Sequence, residues 1–245
     1  MAYQTVFKRY ELKYLINAEQ KEKILEKIAP YMKLDKYGRS TIRNIYYDTD
    51  TMRLIRRSIE KPVYKEKLRI RSYERATKES DVFVELKKKY KSVVYKRRIA
   101  LPLGIAESWL GEKSHCGKDT QITREIDYFL SFYESLHPTV FLSYEREAYY
   151  SLDKSDFRVT FDENIFARDE NLSLEAEPYG TPLLRDGQIL MEIKCSGGIP
   201  LFMTEILSAE HIYKTSFSKY GTAYANIIFP KLKAATDSAE YAFKF

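Results

Sequence analysis

KLRIRSY, residues 67–73, followed after eight residues by VFVELKKK, residues 82–89, is the stretch whose reading decides the fold. With a period of two, Leu68 and Ile70 fall on one side of the first segment and Lys67, Arg69 and Arg71 on the other. In the second, Val82, Val84 and Leu86 share a face, and Glu85, Lys87 and Lys89 share its opposite. This is strand periodicity with one apolar and one charged face. Working outward, the alternation recurs. Arg9, Glu11 and Lys13 alternate with Tyr10, Leu12 and Tyr14, and Lys96 and Arg98 follow in VVYKRRIAL. Glu145 and Arg146 lie in LSYERE, Arg158 in FRVTF, and Glu192 and Lys194 in ILMEIKC.

A single charged strand face is ordinarily the solvated side of a half-buried sheet. Two details oppose that reading here. The cations repeat at i, i+2 with few counter-charges beside them, which is costly unless an anion arrives. Glu192 and Lys194 also sit within an otherwise apolar strand. Charged faces turned inward around a closed barrel, with apolar faces outward under helices, satisfy both, and such a lumen is a polyanion site.

The rest of the chain supplies the other strands and the helices. A strand over Val6–Ile16 is followed by a helix that Asn17 caps, with Gln20 three residues on and Ile24, Leu25 and Ile28 as its stripe. Strands are expected over 40–47, 63–73, 81–90, 93–101, 139–149, 157–161 and 189–195. Helices are expected near 48–57, 105–110, 120–136, 202–211 and 217–227. About eight strands without long crossovers indicate an α+β fold with a largely antiparallel sheet or closed barrel. No internal repeat or low-complexity linker interrupts the chain, so 1–233 is read as one domain and 234–245 as a tail outside it.

The 245 residues are 44% hydrophobic and 31% charged, an ordinary globular composition, and 41 Lys and Arg against 35 Asp and Glu leave a mild excess of +6. That attracts anions but lacks the strongly basic footprint of a nucleic-acid binder, which the alternating cations also suit less well than an enclosed anion. Two cysteines are too few for a disulfide framework. No signal peptide and no apolar run of spanning length is seen, so a cytoplasmic location is expected. GEKSHCGKD, 111–119, misses the phosphate-loop spacing and its Ser or Thr. The three histidines, His115, His137 and His211, form no zinc-binding pair.

FKRYELKYLI, IYYDTD, KLRIRSY, VFVELKKK, VYKRRIAL, SYEREAY, RVTFDENI, ILMEIKC and SFSKY run in order from Phe7 to Tyr220. Together they resemble the VTC domain of polyphosphate polymerases, within the CYTH, or triphosphate tunnel metalloenzyme, superfamily. The resemblance implies an eight-stranded antiparallel tunnel whose lumen binds tripolyphosphate or polyphosphate with Mn²⁺ or Mg²⁺. By the same resemblance, phosphate contacts are expected from Arg9, Lys13, Arg69, Arg71, Lys87, Lys96, Arg146, Arg158, Lys194 and Lys219. Glu192 is expected to coordinate the metal, with Glu11 and Glu85 either assisting it or holding neighbouring cations. Arg69, Arg71, Lys87 and Glu192 are the expected catalytic group. Asp48 is read as a helix cap, and Lys88, Lys91 and Arg97 as solvated. Eukaryotic members join this domain to a regulatory helical domain and membrane helices, which are not expected from this sequence.

The resemblance implies transfer of the γ-phosphoryl of ATP to a polyphosphate chain. A triphosphatase in the same tunnel and a non-catalytic polyphosphate-binding module are the alternatives.

Overall fold

The alternation that marked 67–73 and 82–89 becomes, in the computed structural model, two adjacent strands of one curled antiparallel sheet; the structure describes residues 6–7, 10–91, 93–153 and 155–242. In chain order the elements are β1 (Val6–Phe7), β2 (Tyr10–Ile16), α1 (Ala18–Ile28), β3 (Met32–Leu34), β4 (Ser40–Asp48), α2 (Arg53–Ile59), β5 (Tyr64–Ser72), β6 (Asp81–Tyr90) and β7 (Val93–Pro102). There follow α3 (Leu103–Glu112), α4 (Gln121–Phe132), β8 (His137–Ser151), β9 (Arg158–Arg168), β10 (Thr181–Pro182), β11 (Ile189–Cys195), α5 (Leu201–Ala209), β12 (Lys214–Thr215) and α6 (Lys219–Ala223). A π-helical turn, Tyr224–Ile228, leads into α7, Phe229–Ala242, which runs across the expected boundary at 233.

The sheet runs β1-β7-β6-β5-β4-β8-β9-β11-β2-β12. Eight of these strands have seven residues or more, as the sequence indicated. β1 and β2, consecutive in the chain, lie near opposite ends of this path, so the sheet curls into a tunnel, although no strand pairing joins its two ends among the described residues. Lys87 on β6 donates a hydrogen bond to Glu11 on β2 at 3.3 Å, directly across the enclosed space.

Apolar faces point outward under helices. Leu68, Ile70, Val82, Val84 and Leu86 are fully buried in a cluster with Trp109 of α3 and Ile126 of α4. On the other flank, Val159, Phe161, Met191 and Ile193 pack with Ile24 and Ile28 of α1 and Met203 and Ile206 of α5. Asn17 forms the expected capping box with Gln20 at the start of α1. Lys88 and Arg97, on outward faces, reach Glu125 of α4.

A third cluster fills part of the lumen itself. Tyr46, Leu142, Tyr144 and Leu190 meet Ile55 of α2, Tyr220 and Ala223 of α6, and Tyr224 and Ile228 of the π turn. This cluster is a plug over part of the lumen face, and Asp48 anchors it. Met52, at the N-terminus of α2, has φ 55° and makes no side-chain cap. The completely buried Asp48 carboxylate substitutes for it, accepting from the backbone N–H groups of Thr49, Leu54 and Ile55 and from the Tyr220 hydroxyl at 2.8–2.9 Å. The sequence assigned Asp48 to capping, and the structure adds its tie to α6. Asp48→Ala orphans these buried donors and is expected to cost about 2–3 kcal/mol, read as a lower urea midpoint with unchanged m-value. An unchanged midpoint would deny the anchor.

No helix among the described residues is long and apolar enough to cross a membrane.

Candidate active site in the barrel lumen

Seven of the eight long strands send a charged side chain into the lumen, because each places its polar residues at the parity opposite its core residues. β4 contributes Asn44 and Tyr46 instead. Among the described residues the lumen gathers the cations Lys13, Lys67, Arg69, Arg71, Lys87, Lys96, Arg98, Arg146, Lys194 and Lys219, with Lys65 and Lys89 continuing the same face of β5 and β6, against the carboxylates Glu11, Glu85, Asp162 and Glu192. The surplus of basic side chains sits in an enclosed space, where a low dielectric strengthens their mutual repulsion.

Glu85, 1% exposed, organises one half. Arg69 donates to it through Nε and Nη2 at 2.8 and 2.6 Å, and Lys96, Arg98 and Arg71 pair with it at 2.6, 2.9 and 3.8 Å. Burial alone would raise the Glu85 carboxyl, but Arg71, Arg69, Lys96 and Arg98 outweigh it and hold the group well below its usual range. The remaining guanidinium donors are aimed by neutral groups: Arg69 donates to the Tyr46 hydroxyl at 2.7 Å, and Arg71 to Asn44 Oδ1 and the Tyr144 hydroxyl at 2.9 and 3.1 Å. Sequence reading left two roles open for Glu85, metal ligand or holder of cations. Its position inside a ring of four cations suits the second role, and Glu192 is ringed by cations in the same way.

Glu192 and Asp162 organise the other half. Lys194, Lys219, Arg146 and Lys13 stand 3.1, 3.2, 3.5 and 3.6 Å from the Glu192 carboxylate. Asp162, wholly buried, takes both Arg146 Nε and Nη2, the latter at 2.6 Å, and also Lys219. Burial opposes ionisation of Glu192, and Lys219, Lys194, Lys13 and Arg146 overcome it, so its carboxyl lies well below the ordinary range. Lys219 is pushed down by burial but held above its ordinary value by Asp162 and Glu192.

The expectation of few counter-charges is corrected by this geometry. Each carboxylate serves several cations, and these pairings join strands remote in sequence, out of reach of a local pattern. Lys67 is different. Among the described residues its ammonium donates only to Ser218 Oγ, at a long 3.4 Å, and lies 5.7 Å from the Tyr220 ring centroid. Burial, followed by repulsion from Lys87, Lys13, Lys65 and Arg69, pulls it down to about 7. Across β5 and β6, Lys67 faces Lys87 and Lys65 faces Lys89, like charges set directly opposite one another. Burial also takes Lys96 down to about 7 against the pull of Glu85.

An arriving polyanion raises both lysines, so the complex holds protons the free protein lacks between about pH 7 and 9. Binding of tripolyphosphate is expected to take up protons at pH 8, and affinity to fall as pH rises through this window. Calorimetry in buffers of different ionisation enthalpy measures the uptake. In Lys67→Arg, which stays charged, uptake should fall to roughly half; an undiminished uptake would remove Lys67 from the site.

Most of the sequence-derived residues converge here: Glu11, Lys13, Arg69, Arg71, Glu85, Lys87, Lys96, Arg146, Glu192, Lys194 and Lys219. Arg158 lies exposed on β9, its guanidinium 3.1 Å from Asp35. Arg9 lies outside the described residues. Sequence reading missed Asp162 and did not carry Lys67 and Arg98 into the site. The parity of RVTFD, with Val159 and Phe161 on the core face, was the available signal for Asp162.

Hard carboxylate oxygens suit Mg²⁺ or Mn²⁺, which take one or two carboxylates and complete their shell with phosphate oxygens and water. Glu192 fits that use, facing the lumen among phosphate-binding types. Glu11 lies diagonal to it, since Glu192 registers with Lys13 and Glu11 with Lys194. Among the described residues no group of three or more His, Cys, Asp or Glu side chains is arranged to hold an ion by itself, so an ion here would be shared with the phosphates.

The VTC domain model matches residues 8–228. A Bacillus halodurans protein, solved as a candidate adenylate cyclase, is 15% identical with a TM-score of 0.54 over 88% of this chain and 96% of its own. A candidate adenylyl cyclase from Hippeastrum, described as having a dominant triphosphatase activity, is 14% identical with a TM-score of 0.53 over 88% of this chain and 94% of its own. No curated protein sequence matches. Both structures share the curled-sheet tunnel, and with the family match extending from the first long strand through the lumen plug, the chain belongs to the VTC domain family.

Proposed function

We propose that this protein transfers the γ-phosphoryl group of ATP to the end of a polyphosphate chain inside the lumen, releasing ADP. The observation that carries the reading is the enclosed surplus of basic side chains over carboxylates, part of it, around Lys67 and Lys87, set like against like and relieved by a polyanion. Phosphoryl transfer asks little of a protein beyond holding phosphates in line and neutralising charge as the bond breaks. Arg69 and Arg71, with Lys87 and Lys96, bind and orient phosphate oxygens; the planar guanidinium fork suits them to two oxygens at once. Lys13, Arg146, Lys194 and Lys219 do the same around Glu192. A terminal phosphate oxygen of the chain attacks the γ-phosphorus, that P–O bond forms, and the bond to the β-phosphate oxygen breaks to leave ADP. The attacking oxygen is already ionised, so no side chain has to remove a proton. Mg²⁺ or Mn²⁺ held by Glu192 with the phosphates would neutralise further charge on the oxygens. A cytoplasmic site of action fits the ATP requirement.

A second reading is hydrolysis of tripolyphosphate or a nucleoside triphosphate in the same lumen, supported by the triphosphatase activity ascribed to the Hippeastrum protein of the same fold. One incubation with ATP and Mn²⁺, with and without a short polyphosphate primer, separates the readings. ADP with polymer and little free phosphate is the expected result. Free phosphate without polymer would make the protein a triphosphatase, and no product at all would leave a polyphosphate-binding module.

A further inference from the structure

The lumen face of β5 and β6 changes chemistry at one end. Beside the Glu85 ring, Arg71 registers with Phe83, and Tyr73, the next residue of the same parity, follows just past the end of β5. The two rings meet edge to face, their centroids 5.7 Å apart and their planes at 81°. Arg98 joins them. Its guanidinium lies 3.8 Å from the Phe83 centroid and donates to the Tyr73 hydroxyl at 2.6 Å. Across β6 and β7, Phe83 registers with Ala100, a side chain too small to cover the ring.

At the other end of this face Lys67 lies against Tyr220 of the plug. Here Tyr73 stays 39% exposed and Phe83 half-buried, so a ligand reaches the rings directly from solvent. Burial would raise the Tyr73 hydroxyl, but Arg71 and Arg98 outweigh it and hold the group below its ordinary value. The aromatic rim thus lies within the field that draws phosphates into the lumen.

We infer that Tyr73, Phe83 and Arg98 seat the nucleoside of a nucleoside triphosphate, whose phosphates run inward to Arg69, Arg71 and Lys96. This rests on the reading of the lumen as a triphosphate site, and it adds which end the nucleoside occupies. Tyr73 follows Arg71, and Phe83 precedes Glu85, by two residues of strand, about 7 Å. The rings therefore stand one step outside the cations, as a base stands outside its phosphates in an extended nucleotide. Inorganic polyphosphate has no group for an aromatic shelf to hold. A base has a π face that stacks on aromatic rings and on guanidinium planes, whatever hydrogen-bonding edge it carries. Holding Arg98 does not by itself call for a tyrosine at the rim, since Glu85 binds Arg98 Nε at 2.9 Å and Phe83 packs against its guanidinium.

Calorimetric titration of the intact protein without metal, with the β,γ-imido analogue of ATP and separately with tripolyphosphate, divides nucleoside contacts from phosphate contacts. Tyr73→Leu is expected to weaken the ATP analogue about tenfold and to leave tripolyphosphate affinity within about twofold. Tyr73→Phe, which keeps the ring and loses the hydroxyl, is expected to bind both ligands as the wild type does. A triphosphate carrying a fluorescent purine should be quenched on binding to the wild type and Tyr73→Phe, and stay bright when bound to Tyr73→Leu. Equal losses for both ligands in Tyr73→Leu would make Tyr73 a support for Arg98 alone, and no loss for either would leave the base unheld; each overturns the proposal. No turnover is involved, so the seat can fail while ATP still yields polymer. A wild type that binds tripolyphosphate and rejects the ATP analogue would overturn both the seat and the proposed use of ATP.

Discussion

Glu85→Gln is expected to unfold well below the wild type in the absence of ligand and to recover most of the difference in tripolyphosphate. The substitution keeps the shape of the side chain and removes one charge, but that charge is shared by Arg69, Arg71, Lys96 and Arg98. Removing one partner of a buried pair typically costs about 3–5 kcal/mol, because the other is left uncompensated. For a chain of this size that is a fall of roughly 10 °C in Tm. Tripolyphosphate returns negative charge to the same ring, so its stabilising effect should be larger in the variant than in the wild type. The acid limb should change too. The Glu85 carboxyl is held far below its unfolded value, so its contribution is complete above about pH 4.5 and is lost as pH falls toward the folded value. The glutamine amide does not titrate, and the variant should show a flatter acid limb. A variant as stable as the wild type, with no enlarged response to ligand, would mean that the ring does not need its counter-ion.

The second large effect is kinetic. Glu192→Gln should lower turnover in Mn²⁺ by about a hundredfold or more, while tripolyphosphate binding measured without metal is retained or tightened. The split follows from position. Glu192 is ringed by Lys13, Arg146, Lys194 and Lys219, and its loss releases Lys194 and Lys13 toward phosphate, with Arg146 and Lys219 still on Asp162, while removing the expected ligand of the ion. A structural role alone would lower binding and turnover together, and Tm with and without tripolyphosphate distinguishes the two cases. Undiminished activity in Mn²⁺ would exclude Glu192 as the ligand.

What was legible in the sequence was whatever repeats locally. The period-two faces of 67–73, 82–89 and 189–195 put their cations in the lumen, and Asn17 and Asp48 were read correctly as caps because capping chemistry is short-range. Pairings between distant strands have no such trace. Asp162 joins Arg146 on the neighbouring strand to Lys219 on α6, 57 residues away, and nothing within RVTFDENI announces either partner. A backbone irregularity adds to this. Asn164 has φ 48°, and the β8–β9 register shifts between Ser143 and Glu145, so Ile165 and Ala167 turn into the lumen plug although they share the parity of the outward-facing Phe161. A strict alternation carried past Asp162 would assign them to the wrong side. The plug was not foreseen for the same reason: strands that are charged at one level are apolar at the next, and the level is set by stagger between strands.

The facing lysines, Lys67 opposite Lys87 and Lys65 opposite Lys89, also bear on how the protein is handled. If the proposed function holds, a wall of this kind is expected to carry nucleotides or phosphate chains from the lysate through purification. The empty form then has to be made, by high salt or phosphatase treatment, before any titration begins. Stoichiometries below one in an untreated sample would count the guests that never left.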